Sequence, residues 1–107
     1  MPEESHSTAL KEVGDLIAGL RGHAWRTHQD GPVRGDPGLP DMWITVRRNA
    51  GRPHVPVPGE WVAFWYECKV GKDTLSPAQI GFKVSTEKGG VAVVVGRPAA
   101  VAEFLGY

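Results

Sequence analysis

The run Glu60-Trp61-Val62-Ala63-Phe64-Trp65-Tyr66-Glu67-Cys68-Lys69-Val70 constrains this chain most. Aromatic and β-branched residues fill it, and Pro58-Gly59 and Gly71 punctuate its ends, so it reads as a buried strand rather than a helix. Residues two apart on a strand share a face, about 6.6 to 6.8 Å apart along it, so Glu67 and Lys69 project together while Cys68 points away. Burying either charge unpaired would cost several kcal/mol. Two readings follow: the pair meets a partner, metal or ligand, or it marks where the strand emerges into water as a weak surface ion pair.

The first reading needs a second acid, because a hard cation such as Mg²⁺ is held by one or two carboxylates, with water and substrate oxygens completing the octahedron. Asp41, in Gly38-Leu39-Pro40-Asp41, is the candidate.

At 107 residues and 41% hydrophobic, the chain is sized for one core, a single domain over 1–107 with residues 1–6 frayed. No apolar run is long enough to span a bilayer, and Met1-Pro2-Glu3-Glu4-Ser5-His6 has no signal pattern, so a soluble, cytoplasmic protein is expected. One cysteine excludes an internal disulfide, a cysteine-built zinc cluster and a Cys-x-x-Cys redox pair. The net charge of zero argues against indiscriminate coating of nucleic acid. Locally, Arg21, Arg26, Arg34, Arg47, Arg48 and Arg52 stand against Asp30, Asp36 and Asp41, with His23, His28 and His54 among them. That segment is either a phosphate footprint or an ordinary solvated face.

In chain order, Leu10, Val13, Leu16, Ile17 and Leu20 form the apolar stripe of a helix over Ser7–Leu20, ended by Gly22. Ala24–His28 reads as a short strand, Asp30–Gly38 as a glycine-proline loop, and Asp41–Val46 as the next strand. Arg47–Gly59 is a long hairpin connection. Ser76-Pro77-Ala78-Gln79 announces a helix to about Lys88, with Ser76 at the N-cap, Pro77 at the first position and Gln79 closing a capping box. Val91–Val95 reads as a strand covered on both faces, and Pro98–Leu105 as a closing helix. The expected fold is α/β, order α-β-β-β-α-β-α, a mixed sheet with helices on its faces. Trp25, Trp43, Trp61 and Trp65 are expected mainly to pack, at the core or a subunit contact, rather than to stack on bases.

Gly38-Leu39-Pro40-Asp41, then Glu67-Cys68-Lys69, then Ser76-Pro77-Ala78-Gln79 resemble the motif series of PD-(D/E)XK nucleases, and most closely the small VRR-NUC group. Arg26-Thr27-His28, Lys88-Gly89-Gly90-Val91 and Ala99–Leu105 are also similar to that group, so the resemblance spans roughly residues 20 to 107. It implies a restriction-endonuclease-like fold in which Asp41, Glu67 and the main-chain carbonyl of Cys68 bind Mg²⁺ or Mn²⁺. Lys69 would then offset charge on the phosphoryl oxygens, Gln79 would sit over the pocket and Lys83 could approach a phosphate. Relatives carry an acid on the first helix; Glu4 and Glu12 are the candidates here, with no choice between them. His28 matches a histidine often seen near the family's loop but reads as a loop contact, and His6, His23 and His54 are taken as non-catalytic.

The resemblance implies a metal-dependent, structure-selective DNA endonuclease of the four-way-junction resolvase type, with no small organic cofactor. A homodimer would supply two active sites for branched DNA. The alternatives are nicking, end-trimming or restriction-like cleavage on the same fold, a binding module for branched DNA that does not cut, and a structural subunit whose metal serves stability.

Overall fold

The computed structural model describes residues 5–27 and 38–107. The elements are α1 (His6–Gly19), β1 (His23–Arg26), β2 (Met42–Asn49), β3 (Pro58–Cys68), α2 (Pro77–Lys88), β4 (Val93–Gly96) and α3 (Pro98–Leu105). The order is therefore α-β-β-β-α-β-α. The sheet runs β1-β2-β3-β4, with β1, β2 and β3 antiparallel and β4 parallel to β3. Among the described residues no helix is long and apolar enough to cross a membrane. Glu4, His28 and the Asp30–Pro37 part of the loop lie outside the described residues.

One face of the sheet carries the core. Met42, Ile44 and Val46 of β2 and Phe64, Tyr66 and Cys68 of β3 are buried there against Ala9, Leu10, Val13 and Ile17 of α1 and Val101 and Leu105 of α3. Each such large apolar side chain contributes about 1.5–3 kcal/mol by leaving water. Trp43, Thr45 and Arg47 of β2 and Trp61, Ala63, Trp65 and Glu67 of β3 alternate onto the opposite face. There α2 covers little: it contains no buried residue, and Phe82 meets Trp65 edge-on at 5.5 Å. The central strand is thus buried on one face and only partly roofed on the other. β4 is likewise less enclosed than expected, since Val93 alone of its residues is buried.

The end of α1 differs from the expected glycine stop. Arg21, at φ 61°, takes the left-handed conformation, while the amides of Arg21 and Gly22 bond the Ala18 and Ile17 carbonyls at 3.0 and 2.9 Å. Gly22 serves another need: a Cβ there would fall 2.6 Å from the Thr45 carbonyl oxygen, so only glycine lets the chain cross β2. α2 follows its signals, with Ser76 and Gln79 forming the capping box and the helix ending at Gly89.

The β2–β3 hairpin is closed by Asn49. Its side chain accepts from the Gly51 and Val57 amides at 2.8 and 3.0 Å and donates to the Arg52 and Gly106 carbonyls at 3.1 and 2.8 Å. The ladder slips by one residue between Arg47 and Asn49, a β-bulge next to the turn.

Candidate active site

The hairpin register builds the acid pair. Met42 lies opposite Tyr66 and Trp43 opposite Trp65, so one step past the strand's first residue sets Asp41 across from Glu67, where cross-strand Cβ atoms stand about 4.5–5.5 Å apart. The two acids are joined through each other's strands. The Asp41 amide donates to Glu67 Oε2 at 3.2 Å, and Asp41 Oδ2 accepts from the Cys68 amide at 2.8 Å. Both residues are buried, Asp41 9% and Glu67 3% exposed.

Three neighbouring segments hold this end of the sheet. Thr27, just past β1, donates its hydroxyl to the Pro40 carbonyl and its amide to the Asp41 carbonyl, the latter at 2.9 Å. Gly38 lets the loop lie on the first turn of α2, since a Cβ would sit 2.7 Å from the Ala78 carbonyl oxygen. On the far side, the Gly96 carbonyl at the end of β4 accepts both the Lys69 amide at 3.0 Å and the Tyr66 hydroxyl at 2.7 Å. Lys69 follows β3 directly and brings its Nζ to 3.8 Å from Glu67 Oε1.

Gln79 does two things at once. Its carbonyl oxygen accepts from the Ser76 amide at 2.9 Å to close the capping box, and its Nε2 donates to Glu67 Oε1. The helix cap therefore fixes the orientation of the Glu67 carboxylate. Burial, followed by the hydrogen bond and charge of Asp41, pushes the Glu67 carboxyl from its ordinary 4.5 up to about 8, against the opposing pull of Lys69. Two carboxyl groups pressed together in this way favour sharing a proton or a cation.

His6, read from sequence as non-catalytic, stands beside the pair. As the first residue of α1 it places Nε2 3.3 Å from Asp41 Oδ2. Nothing in Ser5-His6-Ser7 signals this; the packing of α1 across the core brings it there. Glu12 instead is exposed beside Thr8, Lys11 and Asp15. Lys83 forms an ion pair at 2.5 Å with Glu87, one turn further along α2, which lowers the Glu87 carboxyl below its ordinary value, so Lys83 is engaged away from the acids.

No protein-family model matches the chain, and neither the curated proteins nor the solved structures contain a match to it. Among the described residues no group of three or more His, Cys, Asp or Glu side chains forms a metal cage. Two buried carboxylates from facing strands suit a hard ion that keeps water and substrate oxygens in its remaining positions.

The arginines of the hairpin divide. Arg48 donates to the Phe104 carbonyl at 2.9 Å and lies 5.0 Å over the Phe104 ring, so it joins the hairpin to the end of α3 instead of facing a ligand. Arg47 lies on the open face, 5.2 Å over the Trp61 ring. Arg52 and His54 are exposed in the turn. Arg47 is six residues along β2 from Asp41, about 20 Å. The tryptophans divide similarly: Trp43 and Trp65 pack at 4.8 Å, as expected, whereas Trp25 and Trp61 are 51% and 55% exposed.

Proposed function

We propose that this protein is a metal-dependent endonuclease that hydrolyses phosphodiester bonds in DNA, a structure-selective enzyme of the four-way-junction resolvase type built as PD-(D/E)XK nucleases are. The observation that carries the reading is the contact between Asp41 and Glu67, 26 residues apart, with the Lys69 ammonium beside them. Asp41, Glu67 and the Cys68 main-chain carbonyl would hold Mg²⁺ or Mn²⁺, which when bound polarises a phosphate and lowers the pKa of its water. Gln79 holds Glu67 Oε1 while Oε2 faces Asp41. Lys69, on the same side of the strand, meets the negative charge that grows on the phosphoryl oxygens. Burial of both acids keeps bulk water from screening these interactions.

A homodimer would bring two such sites to a branched substrate. The test is cleavage of labelled four-way junction, flap, nicked and linear DNA with Mg²⁺ or Mn²⁺, with EDTA as control. Cleavage lost in Asp41→Ala and Lys69→Ala, with folding intact, supports the enzyme. Tight binding of branched DNA without cleavage would favour a binding module instead.

A further inference from the structure

A cavity of about 480 Å³ opens at the hairpin end of the sheet, between the end of α1 and the start of β3, with Arg21, Arg47, Pro58 and Trp61 in its lining. Arg21, Arg47 and the exposed Trp61 are among its lining residues, Arg47 lying 5.2 Å over the indole ring, and no Asp or Glu is among them. Trp61 and Glu67 belong to the same face of β3, six residues or about 20 Å apart. Between them on that face stand exposed Ala63 and the half-buried Trp65, the latter met edge-on by Phe82 of α2.

We infer that this cavity is a subsite for an unpaired nucleotide of the DNA strand, whose base stacks on Trp61 while Arg21 and Arg47 hold its phosphate. The inference rests on the nuclease reading and names what would make that nuclease selective. Stacking on an indole needs a free base face, which duplex DNA hides and a branch point or single-stranded arm exposes. Charge complementarity singles out a phosphate-bearing occupant. Arg21 supports the assignment: it holds a left-handed conformation that glycine would adopt at lower cost, and it is one of the cavity's lining residues. At about 3.4 Å per stacked nucleotide, the separation of Trp61 from Glu67 along β3 would place the branch roughly six nucleotides or fewer from the cut.

The test measures the fluorescence anisotropy of a dye-labelled short oligothymidylate on titration with the whole protein, in EDTA, with a blunt duplex of equal length labelled alike and thymidine monophosphate as a competitor. The oligothymidylate is expected to bind more tightly than the other two and to quench the tryptophan emission of the wild type. Trp61→Ala should weaken it about tenfold or more, with Trp61→Phe recovering part of the loss. Arg21→Gly should also weaken binding while melting no lower than the wild type, a result that a purely structural role for Arg21 would not give. Equal binding of duplex and single strand, monophosphate binding as tight as the oligomer, or Trp61→Ala and Arg21→Gly variants that bind like the wild type would overturn the subsite. Wild-type cleavage of branched DNA whose preference over duplex survives Trp61→Ala also sinks the subsite but leaves the nuclease standing. Trp61-dependent binding with no metal-dependent cleavage of any DNA removes the nuclease instead.

Discussion

Gln79 links the cap of α2 to the acid pair: its side-chain oxygen accepts the Ser76 amide while its nitrogen donates to Glu67. Helix start and carboxylate orientation are therefore one structural event. The same residue cannot be changed without disturbing both, so the nuclease reading is better probed at Lys69 and Asp41.

Lys69→Ala is expected to lower the cleavage rate by about 10²- to 10³-fold, the usual loss on removing a group that stabilises developing oxyanion charge. Asp41→Asn should reduce cleavage to background while keeping the shape of the side chain. Single-turnover kinetics at saturating Mg²⁺ checks both, and a Lys69→Ala variant with unchanged rate would remove Lys69 from the proposed mechanism.

Glu67 ties metal-free stability to pH. Unfolded, its carboxyl ionises near the ordinary 4.5; folded, near about 8. Between those values the native state binds the extra proton, so this group's contribution is complete at the acid end and disappears as pH rises toward 8. Thermal unfolding in EDTA should show the wild type losing stability relative to Glu67→Gln across that window. Because a divalent ion competes with the proton, the rise in Tm on adding Mg²⁺ should grow with pH. A Mg²⁺ effect independent of pH would contradict the shared-proton description.

Gly38→Ala puts a methyl group against the Ala78 carbonyl oxygen, and both partners are backbone-bound, so the loop must shift. A cost of about 1–3 kcal/mol is expected in urea unfolding. Because the displaced loop carries Asp41 and the displaced turn carries Gln79, cleavage should fall as well. A variant unchanged in both would mean that the loop does not rest on α2.

Arg47 and Arg48, adjacent in sequence, are expected to separate cleanly. Arg48→Ala loses the bond to Phe104 and the ring contact, costing about 1–3 kcal/mol of stability while leaving the salt dependence of DNA binding as it was. Arg47→Ala should do the reverse, flattening the log–log salt slope by up to about 0.7 for a lost single-strand phosphate contact. Equal slopes in the two variants would place the DNA path away from the hairpin.

Much of the architecture could be read from local pattern. The spacing of Leu10, Val13 and Ile17 marked the buried stripe of α1, and Ser76 to Gln79 marked the start of α2, because each signal acts within one or two helical turns. Asp41, Glu67 and Lys69 were also recoverable as a set, since charges bordering apolar strands stand out. Burial around Trp61 was not, because alternation tells which residues share a face but not whether a helix covers it. The left-handed Arg21 escaped for a similar reason: only the approach of β2 shows that Gly22 was needed for space and not for its φ.

What the amino-acid order determined alone was therefore the kind and sequence of elements, through periodicity, caps and turn residues that act over short range. Tertiary structure decided what meets what. The slip between Arg47 and Asn49 sets the register that puts Asp41 across from Glu67, α1 carries His6 to Asp41, and the short reach of α2 leaves Trp61 and Arg47 open. Each of these depends on long-range packing and on how far a helix extends over a sheet, quantities that no single stretch of sequence encodes.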